Sequence, residues 1–366
     1  MNPKELKHSS LANKPSLLKS LRSNNKYAHT ALKDLPKHMV NAQTVLCIEN
    51  AHELCLLLNA SFSLIENQIN YPNYRYYTIP KKKGGKRHIA APDKALKNIQ
   101  KRLNYYLQGY YLSIKPSSVH GFVIYPCYIK GRCNIADNAS IHVGQNHLLN
   151  IDLKDFFTSI SAARVKACFK SELFNYSESL CNALTLLTTV HGTLPTGSPT
   201  SPVISNLVCW ELDQDLAKFA AENNLKYSRY ADDLSFSSLN PIDESLTIEI
   251  SAVIQKHRFT INNKKVRLKH AGQRMVVTGL TVNEKVNIPR HLLKNVRAML
   301  HDLHSNGLAS AASKHLKQKE NASSSLSSIF LNRLTGLINF IGQIRGKDDH
   351  LYLKFSLQLK ACLSQV

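Results

Sequence analysis

The sequence predicts an α+β fold. Strand-like alternation at 74–92, 147–151, 226–238 and 274–289 is set between longer stretches with helical apolar spacing, and residues 290–366 read as mostly helical. A chain of 366 residues with 43% hydrophobic composition supplies a large core, divided over two or three subdomains. The charge is lopsided: 47 Lys and Arg face 25 Asp and Glu, a net +22. Such an excess points to a polyanionic partner, above all nucleic acid, because it is clustered from Lys81 to Arg102 and again at Arg290, Lys294 and Arg297.

Residues 1–35 are polar and basic. Apolar residues from Gln43 to Ile69 recur at helical spacing. "YRYYTIPKKKGGKRHIAAP", 74–92, reads as two strands turning at Gly84-Gly85, and a basic amphipathic helix follows from Asp93. "HLLNI", 147–151, is a strand ending on Asp152, and a helix carrying Phe156, Ile160 and Val165 is expected next. "LPTGSPTSPVISNL" begins as a loop; Ser201 is the expected helix N-cap and Pro202 the first helical residue. Ile204, Val208, Leu212, Leu216 and Phe219 then share one helical face. Hairpins are expected at 226–238 and 274–289, a helix ending at Gly307, and a loop at "NASSSLSS", 321–328.

The eight cysteines form no CxxC pair, so they read as reduced thiols of a cytoplasmic protein rather than metal or redox sites. The N-terminus has no signal-peptide core, and no stretch approaches the roughly 20 apolar residues of a membrane helix. No GxxxxGK[ST] occurs, which argues against a Walker-type NTPase.

"SRYADDLSFSS", 228–238, sets Asp232 and Asp233 side by side at a hairpin tip. An Asp-Asp pair alone is an ordinary turn sequence. If the strand ending on Asp152 is its neighbour, three carboxylates converge, an arrangement unfavourable by itself and favourable around divalent cations. Two such ions roughly 3.5–4 Å apart serve phosphoryl transfer.

The surrounding segments extend this. "YADD", 230–233, resembles the active-site box of reverse transcriptases, and "NIDLKDFFTSI", 150–160, their first carboxylate motif. "LPTGSPTSPVISN", 194–206, resembles the loop and helix that hold the incoming nucleotide. "INNKK", 261–265, resembles their lysine-bearing motif, and the 74–92 hairpin resembles the fingers hairpin. Order and spacing fit from about residue 74 to 290. "NASIH", 138–142, and "VTG", 277–279, further resemble two motifs of bacterial retron reverse transcriptases.

The resemblance implies a right-hand polymerase: an N-terminal helical extension (1–70), fingers and an antiparallel palm sheet backed by helices (71–285), and an RNA-binding helical thumb (286–366). It makes Asp152, Asp232 and Asp233 the catalytic carboxylates and, with the backbone carbonyl of Leu153, the ligands of two Mg²⁺ ions. Phe157, five residues after Asp152, would exclude a ribose 2′-OH by bulk, while Phe156 reads as core. Lys86 and Arg87 can reach nucleotide phosphates; Lys81, Lys82 and Lys83 read as solvated charges or template-backbone contacts. Gly197 would let the chain pass close to base and sugar, and Asn206 would face the nucleotide pocket or be merely a polar helix residue. Thr196 stands where many relatives carry Gln, which leaves a direct nucleotide bond open. Lys265, with Lys264 as the competing choice, would stabilise the leaving pyrophosphate. Asn138 and His142 are carried as RNA contacts or structural supports, and Arg290, Lys294 and Arg297 as RNA contacts. His301 and His304 belong to a basic face rather than a metal site. Of Tyr105, Tyr106, Tyr110 and Tyr111, most read as helix packing.

Retron enzymes reverse-transcribe a cognate noncoding RNA from one of its own 2′-OH groups. The implied product is branched msDNA, with deoxynucleotide triphosphates as substrates and antiphage defence as the role. A separate effector protein and a host RNase H would be partners. Two alternatives stay open: a non-retron reverse transcriptase of group II intron-like or other defence type, and an RNA-bound scaffold restraining an effector.

Overall fold

The computed structural model describes residues 2–23, 34–81, 84–124, 133–316 and 324–364. Lys82, Lys83 and the start of the Ser-rich stretch expected as a loop lie outside them. The elements run α1 (Pro3–Ala12), α2 (Lys14–Ser23), α3 (Lys37–Leu46), α4 (Ala51–Leu58), α5 (Phe62–Asn70), β1 (Tyr74–Pro80), β2 (Lys86–Pro92) and α6 (Lys94–Ile114). Then come α7 (Ile135–Ser140), β3 (His147–Asp152), α8 (Ala162–Lys170), α9 (Glu178–Thr188), α10 (Ser201–Val208), α11 (Trp210–Glu222), β4 (Lys226–Tyr230), β5 (Asp233–Ser238) and α12 (Glu244–Lys256). β6 (Arg267–His270), β7 (Val276–Val277), β8 (Leu280–Thr281), α13 (Arg290–Leu316), α14 (Ser324–Arg345) and α15 (His350–Leu363) complete the chain. The α+β class is what the structure shows: three sheets, with β1 paired antiparallel to β2, β7 to β8, and a four-stranded sheet in the order β4-β5-β3-β6.

The chain forms two compact units. The first comprises 1–134, 149–236 and 242–267, the second 135–148, 237–241 and 268–366. In the first, α6 is the spine. Asp93 caps it, its carboxylate accepting from the Leu96 N–H at 2.9 Å. Leu96, Ile99, Leu103, Leu107 and Tyr110 recur every three or four residues and are buried in a core shared with Val45 and Leu46 of α3 and Leu180 and Leu184 of α9. Tyr106, Tyr110 and Tyr111 are packing residues as expected, whereas Tyr105 is exposed.

In the second unit, Leu326, Phe330, Leu334, Ile338 and Ile341 make one stripe along α14, packed with Val296, Met299 and Leu303 of α13 and Phe355 and Leu359 of α15. A smaller cluster joins Ala139 of α7 and Leu148 to Met275, Val277, Leu280 and Val282.

Several local expectations need correction. The stretch 43–69 belongs to three helices, because Asn50 caps α4, Asn59 adopts a left-handed φ of 49°, and Ser61 caps α5. Phe156 and Ile160 precede helix α8 rather than lying in it; Ser161 is its N-cap. The residue before α10 is Thr200, not Ser201, whose hydroxyl donates to the Pro195 carbonyl at 2.6 Å. The apolar face from Ile204 to Phe219 is split at Cys209 into α10 and α11. Gly307, at φ 75°, breaks α13 instead of ending it, and helix α14 already begins at Ser324. No helix among the described residues is long and apolar enough to cross a membrane, and the seven cysteines there are free.

Candidate active site

β3 ends on Asp152 and β5 begins at Asp233, one residue after Asp232. The Leu153 N–H donates to the Asp232 carbonyl at 2.9 Å, which locks the two strand ends together. On the far side of Asp152, Leu153 bridges Ile261 and the Asn262 N–H donates to the Asp152 carbonyl at 2.8 Å. These bonds bring "INNKK" to the first carboxylate. Lys265 Nζ lies 2.6 Å from Asp152 Oδ1, and Asn262 Nδ2 lies 3.3 Å from Oδ2. Of the two candidate lysines, Lys265 is therefore the one at the carboxylate. The ammonium is half exposed and Asp152 is 10% exposed.

The electrostatics are those of a crowded anionic site. Asp232 is raised above its ordinary value, first through loss of water and also through Asp152, while a hydrogen bond from its own backbone, then Lys265 and Arg87, pull it back. Asp233 is raised to about 6, again by desolvation first and then by Asp232 and Asp152. Lys265 is raised, chiefly by its bond to Asp152. Hard oxygen donors only partly neutralised by Lys265 suit divalent cations, although among the described residues no three acidic, His or Cys side chains are grouped so as to hold one.

A pH dependence follows. A carboxyl shifted from 3.8 to about 6 in the folded chain favours the fold while it is protonated. That contribution is full below 3.8 and is lost as pH rises through about 6. Metal-free protein is expected to lose this stability across the window, and Asp233→Asn to flatten the slope. Parallel urea titrations of both proteins check it, and identical slopes would refute it.

The hairpin β1–β2 presents Lys86 and Arg87 exposed. Both glycines of its turn have left-handed φ, 90° at Gly84 and 83° at Gly85. The loop carrying Thr196 and Gly197 packs directly on this hairpin. Thr196 Oγ1 donates to the His88 carbonyl at 2.6 Å, so its hydroxyl is engaged by protein. A Cβ on Gly197 would meet the Ala90 carbonyl oxygen at 2.6 Å and Ile89 Cγ2 at 2.9 Å. Glycine there serves the approach of strand β2, a reason different from the expected passage of base and sugar.

Of the two expectations for Asn206, a polar residue within the helix packing is the one its surroundings fit. It is fully buried, its Nδ2 donating to the Gly121 carbonyl at 3.0 Å and its Oδ1 accepting from Arg229 at 3.0 Å. It therefore acts behind the site, within a network that sequence reading missed. Arg229 on β4 is wholly buried and donates to both oxygens of Asp213 on α11, at 2.7 and 2.5 Å, and to the Ala231 carbonyl at 3.0 Å. Tyr227 adds a bond to Asp213 at 2.8 Å. Burial works against a charged guanidinium, and the Asp213 carboxylate overcomes it, so Arg229 titrates well above its ordinary value. The signal was present: Arg229 and Tyr227 share a face of β4, and Asp213 follows the buried Leu212 on the preceding helix.

Phe157 is half-buried, its ring 5.5 Å from that of Phe156 and 5.6 Å from that of Phe122. Phe156 is core, as expected, stacked on Phe259 at 5.8 Å.

In the second unit, Asn138 and His142 are buried, and His142 Nδ1 lies 2.7 Å from Ser237 Oγ. Thr278 of the "VTG" turn donates to the Ile135 carbonyl at 3.0 Å. Ala139 of the first motif and Val277 of the second share one buried apolar cluster, so the two motifs pack together. Of the two roles expected for Asn138 and His142, support is the one their burial fits; contact with RNA would require that packing to open. Arg290, Lys294, Arg297, His301 and His304 are all exposed and repeat every three or four residues along α13.

The sequence model of the family described as "Reverse transcriptase (RNA-dependent DNA polymerase)" matches residues 79–317. The retron Ec86 reverse transcriptase of Escherichia coli is 33% identical over 265 residues, covering 70% of this chain and 78% of that one. The retron Ec83 enzyme of E. coli is 29% identical, covering 73% of this chain and 82% of that one. The retron Mx65 enzyme of Myxococcus xanthus is 33% identical over 63% of this chain, which spans only 56% of its length. Among solved structures, apo telomerase from Candida tropicalis aligns with 12% identity and a TM-score of 0.46, over 79% of this chain and 61% of that one, too remote to bear on function. The family works with divalent metal ions on RNA templates and has the right-hand polymerase fold. The chain belongs to the retron reverse transcriptases and is an RNA-directed DNA polymerase.

Proposed function

We propose that this polymerase copies one structured noncoding RNA, beginning from a 2′-OH of that RNA, and produces branched msDNA that serves antiphage defence with a separate effector protein. The observation that carries the catalytic part is the junction of Asp152, Asp232 and Lys265, tied by the Leu153–Asp232 bond and the Lys265–Asp152 contact. The retron part rests on the mutual packing of "NASIH" and "VTG" in a chain similar to several retron enzymes.

Asp152, Asp232 and Asp233, with the Leu153 carbonyl, are the proposed ligands of two Mg²⁺ ions. Such ions would activate the attacking hydroxyl and neutralise the leaving pyrophosphate. The side chains hold the rest. Lys86 and Arg87 grip the triphosphate of the deoxynucleotide, and Phe157 stands where a ribose hydroxyl would go. Lys265 leaves Asp152 for the departing pyrophosphate. Gly197 and Thr196 fix the nucleotide loop to β2, and Asn206 steadies the carboxylate turn from behind.

Residues 71–285 are read as fingers and palm, 286–366 as the thumb, and 1–70 as a helical extension. The exposed basic row from Arg290 through Lys294 and Arg297 to His304 would bind RNA backbone, with affinity falling steeply in salt. Removal of the copied template is assigned to a host RNase H in the cytoplasm.

The test is to purify the protein with its native locus and treat the bound nucleic acid with RNase and debranching enzyme. The expected product is a short DNA carrying a 2′-linked RNA stub, absent from Asp232→Ala/Asp233→Ala. Unbranched DNA would retire the retron priming step, and RNA alone in both samples would favour a scaffold.

A further inference from the structure

We propose that Phe122 is a specificity-determining positioning residue: it sets the height of the Phe157 ring and thereby the exclusion of ribonucleotides. This rests on the reading of Phe157 as the sugar-selecting side chain.

The segment 118–124 was singled out by no motif, yet it is tied into the site at every step. The Arg229 N–H donates to the Ser118 carbonyl at 2.9 Å and the His120 N–H to the Arg229 carbonyl at 3.0 Å. Asn206 holds the Gly121 carbonyl. Gln108, buried on α6, donates to the Phe122 carbonyl at 3.0 Å and accepts from the Ile124 N–H at 3.1 Å. A Cβ on Gly121 would stand 2.3 Å from the Ala231 nitrogen, so this backbone lies directly under the residue before Asp232.

Between these fixed points Phe122 adopts a left-handed φ of 61°. That conformation suits glycine and is unfavourable for a bulky aromatic, and it persists only where the surroundings over-determine it. What the chain gains is a ring placed 5.6 Å from Phe157 at an interplanar angle of 31°. Phe157 thus has two aromatic neighbours, Phe122 and Phe156, the latter itself stacked on Phe259. Exclusion of a single hydroxyl by bulk needs a ring that cannot yield. With Phe122 removed, Phe157 loses one wall and can tilt aside. The same segment underlies both the carboxylate turn and the selecting ring, so the two stay in register.

The experiment measures single-nucleotide addition by the full-length protein on an RNA template with an annealed primer, using a deoxynucleotide and the matching ribonucleotide. Phe122→Leu, which keeps an apolar side chain without the ring, is expected to reduce the deoxy-over-ribo preference about tenfold. Phe122→Tyr is expected to retain it, and Phe157→Val to reduce it at least as far as Phe122→Leu. A general structural loss would lower both rates together and leave their ratio alone. If Phe157→Val relaxes the preference and Phe122→Leu does not, the inference is overturned while the reading of Phe157 stands. If Phe157→Val changes nothing, that reading falls and the inference with it. Should Phe122→Leu fold poorly, Phe122→Met carries the same comparison.

Discussion

Asp232→Asn is expected to abolish DNA synthesis while leaving the metal-free fold at least as stable as before. The substitution removes one of two adjoining carboxylates that repel each other, and Asp232 already titrates high because burial and Asp152 disfavour its charge. Its cross-strand bond to Leu153 is made by the backbone carbonyl, which the substitution keeps. The rate of deoxynucleotide addition, in contrast, is expected to fall by about 10³-fold or more, the order lost with one preorganised electrostatic group.

A second readout separates metal binding from chemistry. A cation bound only by the folded state stabilises it by about 2.7 kcal/mol at a concentration a hundred times its dissociation constant. Mg²⁺ is therefore expected to raise the melting temperature of the native protein by a few degrees, and to raise that of Asp232→Asn much less. Synthesis within tenfold of the native rate, or an undiminished Mg²⁺ shift, would remove Asp232 from the metal site.

The features legible in the sequence are those encoded by neighbours along the chain. The Gly84-Gly85 turn, strand β3 ending on Asp152 and the hairpin at Tyr230–Asp233 depend on local alternation and turn chemistry, and each is found where the pattern puts it. Helix breaks were less legible. A one-residue junction such as Cys209, whose own backbone stays in the right-handed helical region, scarcely disturbs an apolar stripe, so α10 and α11 read as one helix. The explanations for Gly197 and Asn206 were least accessible. A close approach to Ala90 and a bond to Arg229 link residues about a hundred and 23 positions apart, and neither leaves a periodic trace. The candidate catalytic residues could be listed from the sequence; the apparatus that holds them could not.

That apparatus makes the largest stability prediction. Asp213→Ala leaves the Arg229 guanidinium with no counter-charge at a position with no exposure at all. Breaking a buried pair from one side costs about 3–5 kcal/mol, because the remaining charge stays desolvated. A urea transition shifted down by that amount is expected, and a loss below about 1 kcal/mol would show the pair to be incidental. Replacing both partners by apolar residues of similar size, Asp213→Leu with Arg229→Met, removes both charges and is expected to recover most of the loss. Tyr227 would still lack its acceptor, which costs about 1 kcal/mol. Activity is expected to behave differently. The guanidinium ties Asn206 to the Ala231 carbonyl, and Ala231 sits at a left-handed φ of 60° beside Asp232. The double variant keeps the packing and loses the tether, so it should be folded and still slow. A double variant as active as the native enzyme would mean that the strand pairing of β4 and β5 alone sets the carboxylate turn.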